Sequence, residues 1–150
     1  MADADVDLTA AIRLLGSDRG LCVVSLTRPD GTISSSLVNA GPLAHPVDGA
    51  TVLGLVVRGS SYKYRRLRAA PRMTLMVTRL WEWQAVEGAV ELIGPSDPVA
   101  GVALPALLRD VFKAAGGTHE DWDTFDRVMV EEGRVAVLLR PGRVYGQVQR

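Results

Sequence analysis

The chain has 150 residues, 47% hydrophobic and 23% charged, with 17 basic residues balanced by 17 acidic ones. That length fits one domain over residues 1–150, able to bury about 70% of its unfolded surface. The composition excludes disorder, and a neutral chain with a pI near 6.7 is a poor general nucleic-acid binder.

Cys22 is the only cysteine, so no intrachain disulfide forms, and its place in the apolar run LCVVSL reads as a small buried hydrophobe. His45 and His119 are too far from it in sequence to give a zinc-ligand spacing, so no metal is expected. The start, MADADVDLTAAIRLLG, is acidic and lacks the basic and apolar regions of a signal peptide. No apolar run reaches the roughly eighteen residues of a membrane span. The expectation is a soluble, cytoplasmic protein.

Apolar residues at Leu8, Ala11, Ile12 and Leu15 predict a helix over 8–15, stopped by Gly16. LCVVSLT follows as a buried strand, RPDGT as a turn, and TISSSLVNAG as the returning strand of a hairpin. GPLAHPVDGA, with two prolines and two glycines, reads as loop. TVLGLVV is a third strand, apolar on both faces and therefore central, and SSYKYRRLRAAPR is a short helix ended by Pro71.

RMTLMVTR is the fourth strand and WEWQAVEGAVELIG the fifth, with a bulge expected near Gly88. PSDPVAGVALPALLRDVFKAAGG reads as helix, with Asp97 as N-cap, Pro98 at the first position and a break at Pro105. THEDWDTFDRVMVEEG is a second helix capped by Thr118, with Trp122, Phe125 and Met129 on one face. RVAVLLRPGRVYGQVQ closes the chain as a sixth strand bent at Pro141 and Gly142. Six strands without regular βαβ alternation point to a mainly β protein, an antiparallel barrel with helices packed outside it.

Charge singles out residues 60–72. Lys63, Arg65, Arg66, Arg68 and Arg72 lie there, Arg58 and Arg79 flank them, and no acidic residue occurs from Gly49 to Trp81. Ser60 or Ser61 caps the helix, which puts Lys63 in its first turn, where a cation opposes the helix dipole. An anion over that terminus reverses the penalty, because hydroxyls, free N–H groups and a lysine together make a phosphate cradle. Lys63 and Arg66 share a face while Arg65 and Arg68 point elsewhere, which favours a small anion over a long polyanion. The plainer reading is a solvated helix with scattered basic residues.

Two other features carry a double reading. Ser34, Ser35, Ser36 and Asn39 form a polar row on the second strand, either a solvent-facing surface or a groove wall that hydrogen-bonds a flat heterocycle. Trp81 and Trp83, two apart and on one strand face, serve either the core or a stacking surface.

The segments YKYRRLRAAPRMTLMV, WEWQAVEGAVEL and HEDWDTFDRVMVEEGRVAVLLRPGRVYG, in that order, resemble the split β-barrel flavin and deazaflavin oxidoreductases. This is the superfamily of pyridoxamine 5′-phosphate oxidase, and the similarity is to its branch that uses coenzyme F420, an 8-hydroxy-5-deazaflavin. It runs over residues 8–146 and is most specific in the K-x-R-x-L-R-x-x-P-R and D-W-x-x-F-x-x-x-M-V patterns.

The resemblance implies a six-stranded antiparallel split barrel that forms a homodimer, with cofactors in two grooves between the subunits. It places Ser34, Ser36, Val38 and Asn39 against the cofactor ring, and Arg58, Ser60, Ser61 and Lys63 at its phosphate. Trp81 and Trp83 fall on the substrate side. Similar proteins often carry a basic residue at the position of Ser61, and Arg58 or Arg66 then has to compensate. The implied activity is hydride transfer from reduced F420 to an electrophilic acceptor such as a conjugated tetrapyrrole, a quinone or an enone. The alternatives are an FMN-dependent oxidase or reductase on the same fold, or a non-catalytic flavin- or deazaflavin-binding protein. No side chain stands out as a general acid.

Overall fold

The computed structural model describes residues 6–149. Four helices and seven strands follow in chain order: α1 (Thr9–Ser17), β1 (Leu21–Thr27), β2 (Ile33–Asn39), β3 (Gly41–Ala44), β4 (Thr51–Val57), α2 (Tyr62–Ala69), β5 (Arg72–Arg79), β6 (Glu82–Ile93), α3 (Leu104–Ala114), α4 (Trp122–Glu131) and β7 (Val135–Gln147). Three of the strands coincide residue for residue with the runs read from the sequence, because each is an apolar segment bounded by turn residues. None of the described helices is long and apolar enough to cross a membrane.

All strands pair antiparallel in one sheet of order β2-β1-β5-β6-β7-β4-β3. β2 and β3 are the two ends of that order, yet only Ala40 separates them in the chain. The sheet therefore curls until its edges meet, and Ala40 is fully buried at the seam, its N–H donating to the Gly20 carbonyl at 2.9 Å.

Six strands were expected and seven are present. The additional one, β3, occupies the first part of the proline- and glycine-rich segment expected to be loop. Pro42 pairs with Leu53 across β3 and β4, and β3 has no second neighbour, so the missing N–H of Pro42 is tolerated at the edge.

β4 is paired on both sides, by β3 and β7, but lies next to the edge rather than in the middle of the order. Its two apolar faces have another cause. Leu53, Leu55 and Val57 point into the barrel with Leu75, Val86 and Leu139. Val52 packs outward with Leu138 against Leu107, Leu108 and Val111 of α3 and Phe125 of α4. Each such fully buried aliphatic side chain stabilises by roughly 1.5–3 kcal/mol, and two layers of them fix α3 and α4 over one side of the sheet.

The bulge falls where it was expected. The β6–β7 register shifts between Glu87 and Gly88: Glu87 faces Arg143, Gly88 faces Pro141, and Gly142 is left over. A Cβ on Gly88 would lie 1.8 Å from the Arg140 carbonyl oxygen, so only glycine fits there.

The helical segments differ from expectation at their starts. Residues 95–103 are not helical, and α3 begins only at Leu104 with Pro105 in its first turn. Gly101, at φ 81°, turns the chain before it. Asp97 therefore caps nothing; it forms a bridge with Gly94 and ties down α2 instead. α4 is capped by Asp121 rather than Thr118, its carboxylate accepting from the N–H groups of Asp123 and Thr124 at 3.1 and 3.2 Å.

Candidate functional site

α2 owes its position to one face. Tyr64 and Leu67 are buried, and the Tyr64 hydroxyl donates to Asp97 at 2.6 Å. That bond to a carboxylate raises the Tyr64 pKa. Arg68 reaches the same carboxylate at 3.2 Å. The helix start is fixed by Ser61, which adopts extended backbone and accepts the Tyr64 N–H at 3.1 Å. The N–H groups of Tyr62 and Lys63 have no acceptor within the helix, as at every helix N-terminus.

This terminus opens on a cavity of about 480 Å³. Ser61 and Lys63 border it from α2, Arg58 with Val56 and Val57 from the end of β4, and Val38 with Asn39 from the end of β2. The opposite wall is apolar, made by Val111, Phe112 and Ala115 of α3 and its extension and by Met129 of α4. Arg134, just before β7, completes it.

The charges are unevenly answered. Lys63 Nζ donates to the Ser36 hydroxyl at 3.0 Å, a neutral partner, and among the described residues no carboxylate answers its charge. Arg58 and Arg134 both contact Glu132, at 2.9 and 3.0 Å. Among the described residues the lining holds no carboxylate, histidine, cysteine or tyrosine. It thus offers cationic and apolar contacts but no obvious proton carrier apart from lysine. Cys22 lies elsewhere in the barrel core, where burial pushes its thiol pKa up to about 12, so it is inert at neutral pH.

The structure brings together Val38, Asn39, Arg58, Ser61 and Lys63, with Ser36 joined through its bond to Lys63. It does not bring the others. Ser34 is half-buried on β2 opposite Leu26, farther along the strand. Ser60 offers its carbonyl to Arg65 at 2.7 Å and is not part of the lining. Arg66 donates through Nε to the Thr27 carbonyl and is not part of the lining.

The polar row on β2 is split between faces. Ser34, Ser36 and Val38 are half-buried, whereas Ser35 bonds Ser25 on the opposite side at 2.8 Å. Trp81 sits in the β5–β6 turn, 79% exposed, rather than in the strand. Trp83 packs edge-on to Tyr145, ring centroids 6.1 Å apart. Neither tryptophan reaches the cavity.

Reading the sequence missed Phe112, Met129 and Arg134. Met129 was legible as part of an apolar helix face, but nothing local says that the face borders a cavity. A second cavity, about 470 Å³, opens where β1 and β5 part, beside Thr27, Ile33, Arg72 and Glu87; it contains none of the expected residues.

No family model matches the chain. Solved structures do match its fold. The conserved hypothetical protein Rv2991 from Mycobacterium tuberculosis superposes with a TM-score of 0.66 at 17% identity, over 97% of this chain and 84% of that one. A structure described as an F420 reductase gives 0.61 at 21% identity, over 90% and 95%. A pyridoxamine 5′-phosphate oxidase-related, FMN-binding protein from Nostoc punctiforme gives 0.57 at 14%, over 96% and 84%. The fold is therefore the split β-barrel that these structures share.

Proposed function

We propose that the protein is an F420-dependent oxidoreductase that passes a hydride from the reduced deazaflavin to an electrophilic organic acceptor. The observation that carries this reading is the convergence of Ser61, Lys63 and Arg58 with Val38 and Asn39 on one cavity. A phosphate at the α2 terminus would meet the free N–H groups of the first helical turn, the Ser61 hydroxyl and the charge of Lys63. Arg58 adds positive potential from β4. Ser36, which holds Lys63 at 3.0 Å, orients the ammonium and stands on the strand along which the ring would lie.

The cofactor, when bound, supplies the hydride chemistry. This chain's part is to bind, orient and shield. Val56, Val57, Phe112 and Met129 give apolar walls that exclude water from a planar ring. With no carboxyl, histidine or tyrosine in the described lining and Lys63 engaged by the phosphate, the proton that follows the hydride comes from solvent. FMN is the alternative ligand, since it also carries a phosphate and a flat tricyclic ring, and a non-catalytic cofactor-binding role is the alternative function.

A homodimer completes the proposal. One register row crosses the outer face of the sheet through Leu37, Val23, Met76, Ala85 and Tyr145. Leu37 is 65% exposed and Met76 38%, an apolar surface that a second copy would cover. Neither a nucleic acid nor a membrane is a partner in this reading.

Thermal unfolding with F420, with FMN and without ligand tests it. Ligand at a hundred times its dissociation constant stabilises by about 2.7 kcal/mol, or roughly 5–10 °C for a domain of this size. A rise with F420 is expected; a rise with FMN alone promotes the flavin alternative, and no rise with either sinks both.

A further inference from the structure

The last rung of the β4–β7 ladder pairs Val57 with Val135. One step further, the same register sets Arg58 opposite Arg134. Like charges directly opposite one another across a strand pair repel, yet the backbone is built to bring these two together. α4 ends at Glu131, and Gly133 takes a φ of 57° to turn the chain into β7. Gly59 packs so closely on that turn that a Cβ would stand 2.6 Å from the Gly133 carbonyl oxygen.

Glu132 mediates between the guanidinium groups. Its Oε1 accepts from Arg134 Nε and Nη2 at 3.1 and 3.0 Å, and its Oε2 forms an ion pair with Arg58 Nη2 at 2.9 Å. The two arginines thus already bracket one carboxylate, Arg134 through two N–H groups on a single oxygen and Arg58 through an ion pair at the other. They keep donors to spare, since a guanidinium carries five N–H bonds. Both arginines line the cavity and Glu132 does not.

We propose that Arg58 and Arg134 form a second anion-binding pole of the cavity, tethered from behind by Glu132, that receives a carboxylate of the bound ligand. The inference rests on the reading of this cavity as a phosphate-bearing cofactor site and narrows the ligand class. The preferred ligand carries a carboxylate in addition to its phosphate, as F420 does and FMN does not. Glu132 is a positioning residue here. It cancels the repulsion between two cations that the register forces together and fixes where their remaining donors lie.

The test is fluorescence titration of F420 and FMN against the wild type, Arg134→Gln and Lys63→Ala. Arg134→Gln is expected to weaken F420 binding about tenfold while changing FMN binding by less than about twofold. Lys63→Ala should weaken both. Equal loss for the two ligands in Arg134→Gln, or no loss for either, overturns the second pole.

Should Arg134→Gln fail to fold, Arg134→Lys keeps the charge without the planar fork. It should lose part of the F420 affinity and none of the FMN affinity, and unchanged F420 affinity overturns the proposal. If the wild type binds neither cofactor, the cofactor reading has failed on its own, and citrate then probes the pole. A citrate-induced rise in the unfolding temperature that Arg134→Gln abolishes supports it; an equal rise in both proteins, or none, refutes it.

Discussion

Two charged clusters lie at different places in the molecule, one around Arg140 within β7 and one around Arg134 just before it, and they are finished in opposite ways. Around Arg140 every charge has an answer. Its guanidinium binds Glu91 and, at 2.8 Å, Asp48. Glu91 also contacts His45 Nε2 at 2.7 Å, and the Val47 N–H donates to His45 Nδ1 at 3.1 Å. That pattern closes the β3–β4 turn over β6 and β7 and leaves His45 only 5% exposed. At the cavity, by contrast, Arg58 and Arg134 share one carboxylate and Lys63 has a hydroxyl. A saturated cluster behaves as a latch, whereas an undersaturated one has donors left for a ligand. The difference separates structure from site better than charge density does.

The largest expected effect breaks the site without touching the latch. Lys63→Ala removes a charge-assisted contact to the ligand phosphate, worth about 1.5–3 kcal/mol, so affinity should fall by at least tenfold. Its unfolding temperature without ligand should match the wild type, because among the described residues the Lys63 ammonium holds only the Ser36 hydroxyl. Unchanged affinity in a titration would remove the phosphate assignment.

Glu91→Ala breaks the latch without touching the site. It leaves the buried His45 Nε2 without its carboxylate, at a cost of about 1–3 kcal/mol. Denaturant titration should report that loss while ligand affinity stays at the wild-type value. A loss of affinity instead would mean that the two clusters are coupled.

A smaller effect sharpens the comparison through pH. The bond from the Ala50 N–H, then the Arg140 guanidinium, hold the Asp48 carboxyl below its usual range. Burial works to raise Glu91, but hydrogen bonds from Arg140 and His45 outweigh it and hold that carboxyl low as well. Depressed folded values stabilise above the ordinary carboxylate range, about 3.9–4.3, and that contribution disappears as pH falls through the folded values. The unfolding temperature should therefore drop at acid pH, and the drop should be shallower in Glu91→Gln. Identical acid profiles would show that this cluster does not govern acid stability.

Much of this architecture was legible because its causes are local. β1, β4 and β5 announce themselves as apolar runs between turns, and Gly88 marks the bulge because a strand glycine interrupts side-chain packing. Ser61 and Lys63 were legible because a hydroxyl cap followed by a cation in the first turn is a locally unfavourable arrangement without an anion. What failed did so for non-local reasons. Pro42 looks like loop until an edge position excuses its missing N–H. Asp97 looks like a cap until Tyr64 and Arg68 claim it. Arg66 reads as sharing a face with Lys63, yet its Nε donates to the Thr27 carbonyl and it does not line the cavity.

The sequence by itself determined the alternation of strands and turns, the start of α2 and the concentration of positive charge around it. These follow from side-chain periodicity and backbone chemistry over a few residues. Only the tertiary structure decided which cations serve the cavity. Arg58 and Arg134 lie 76 positions apart in the chain, and they meet because β4 and β7 pair in one register, which places both guanidinium groups beside Glu132 and leaves them facing the same space as Lys63.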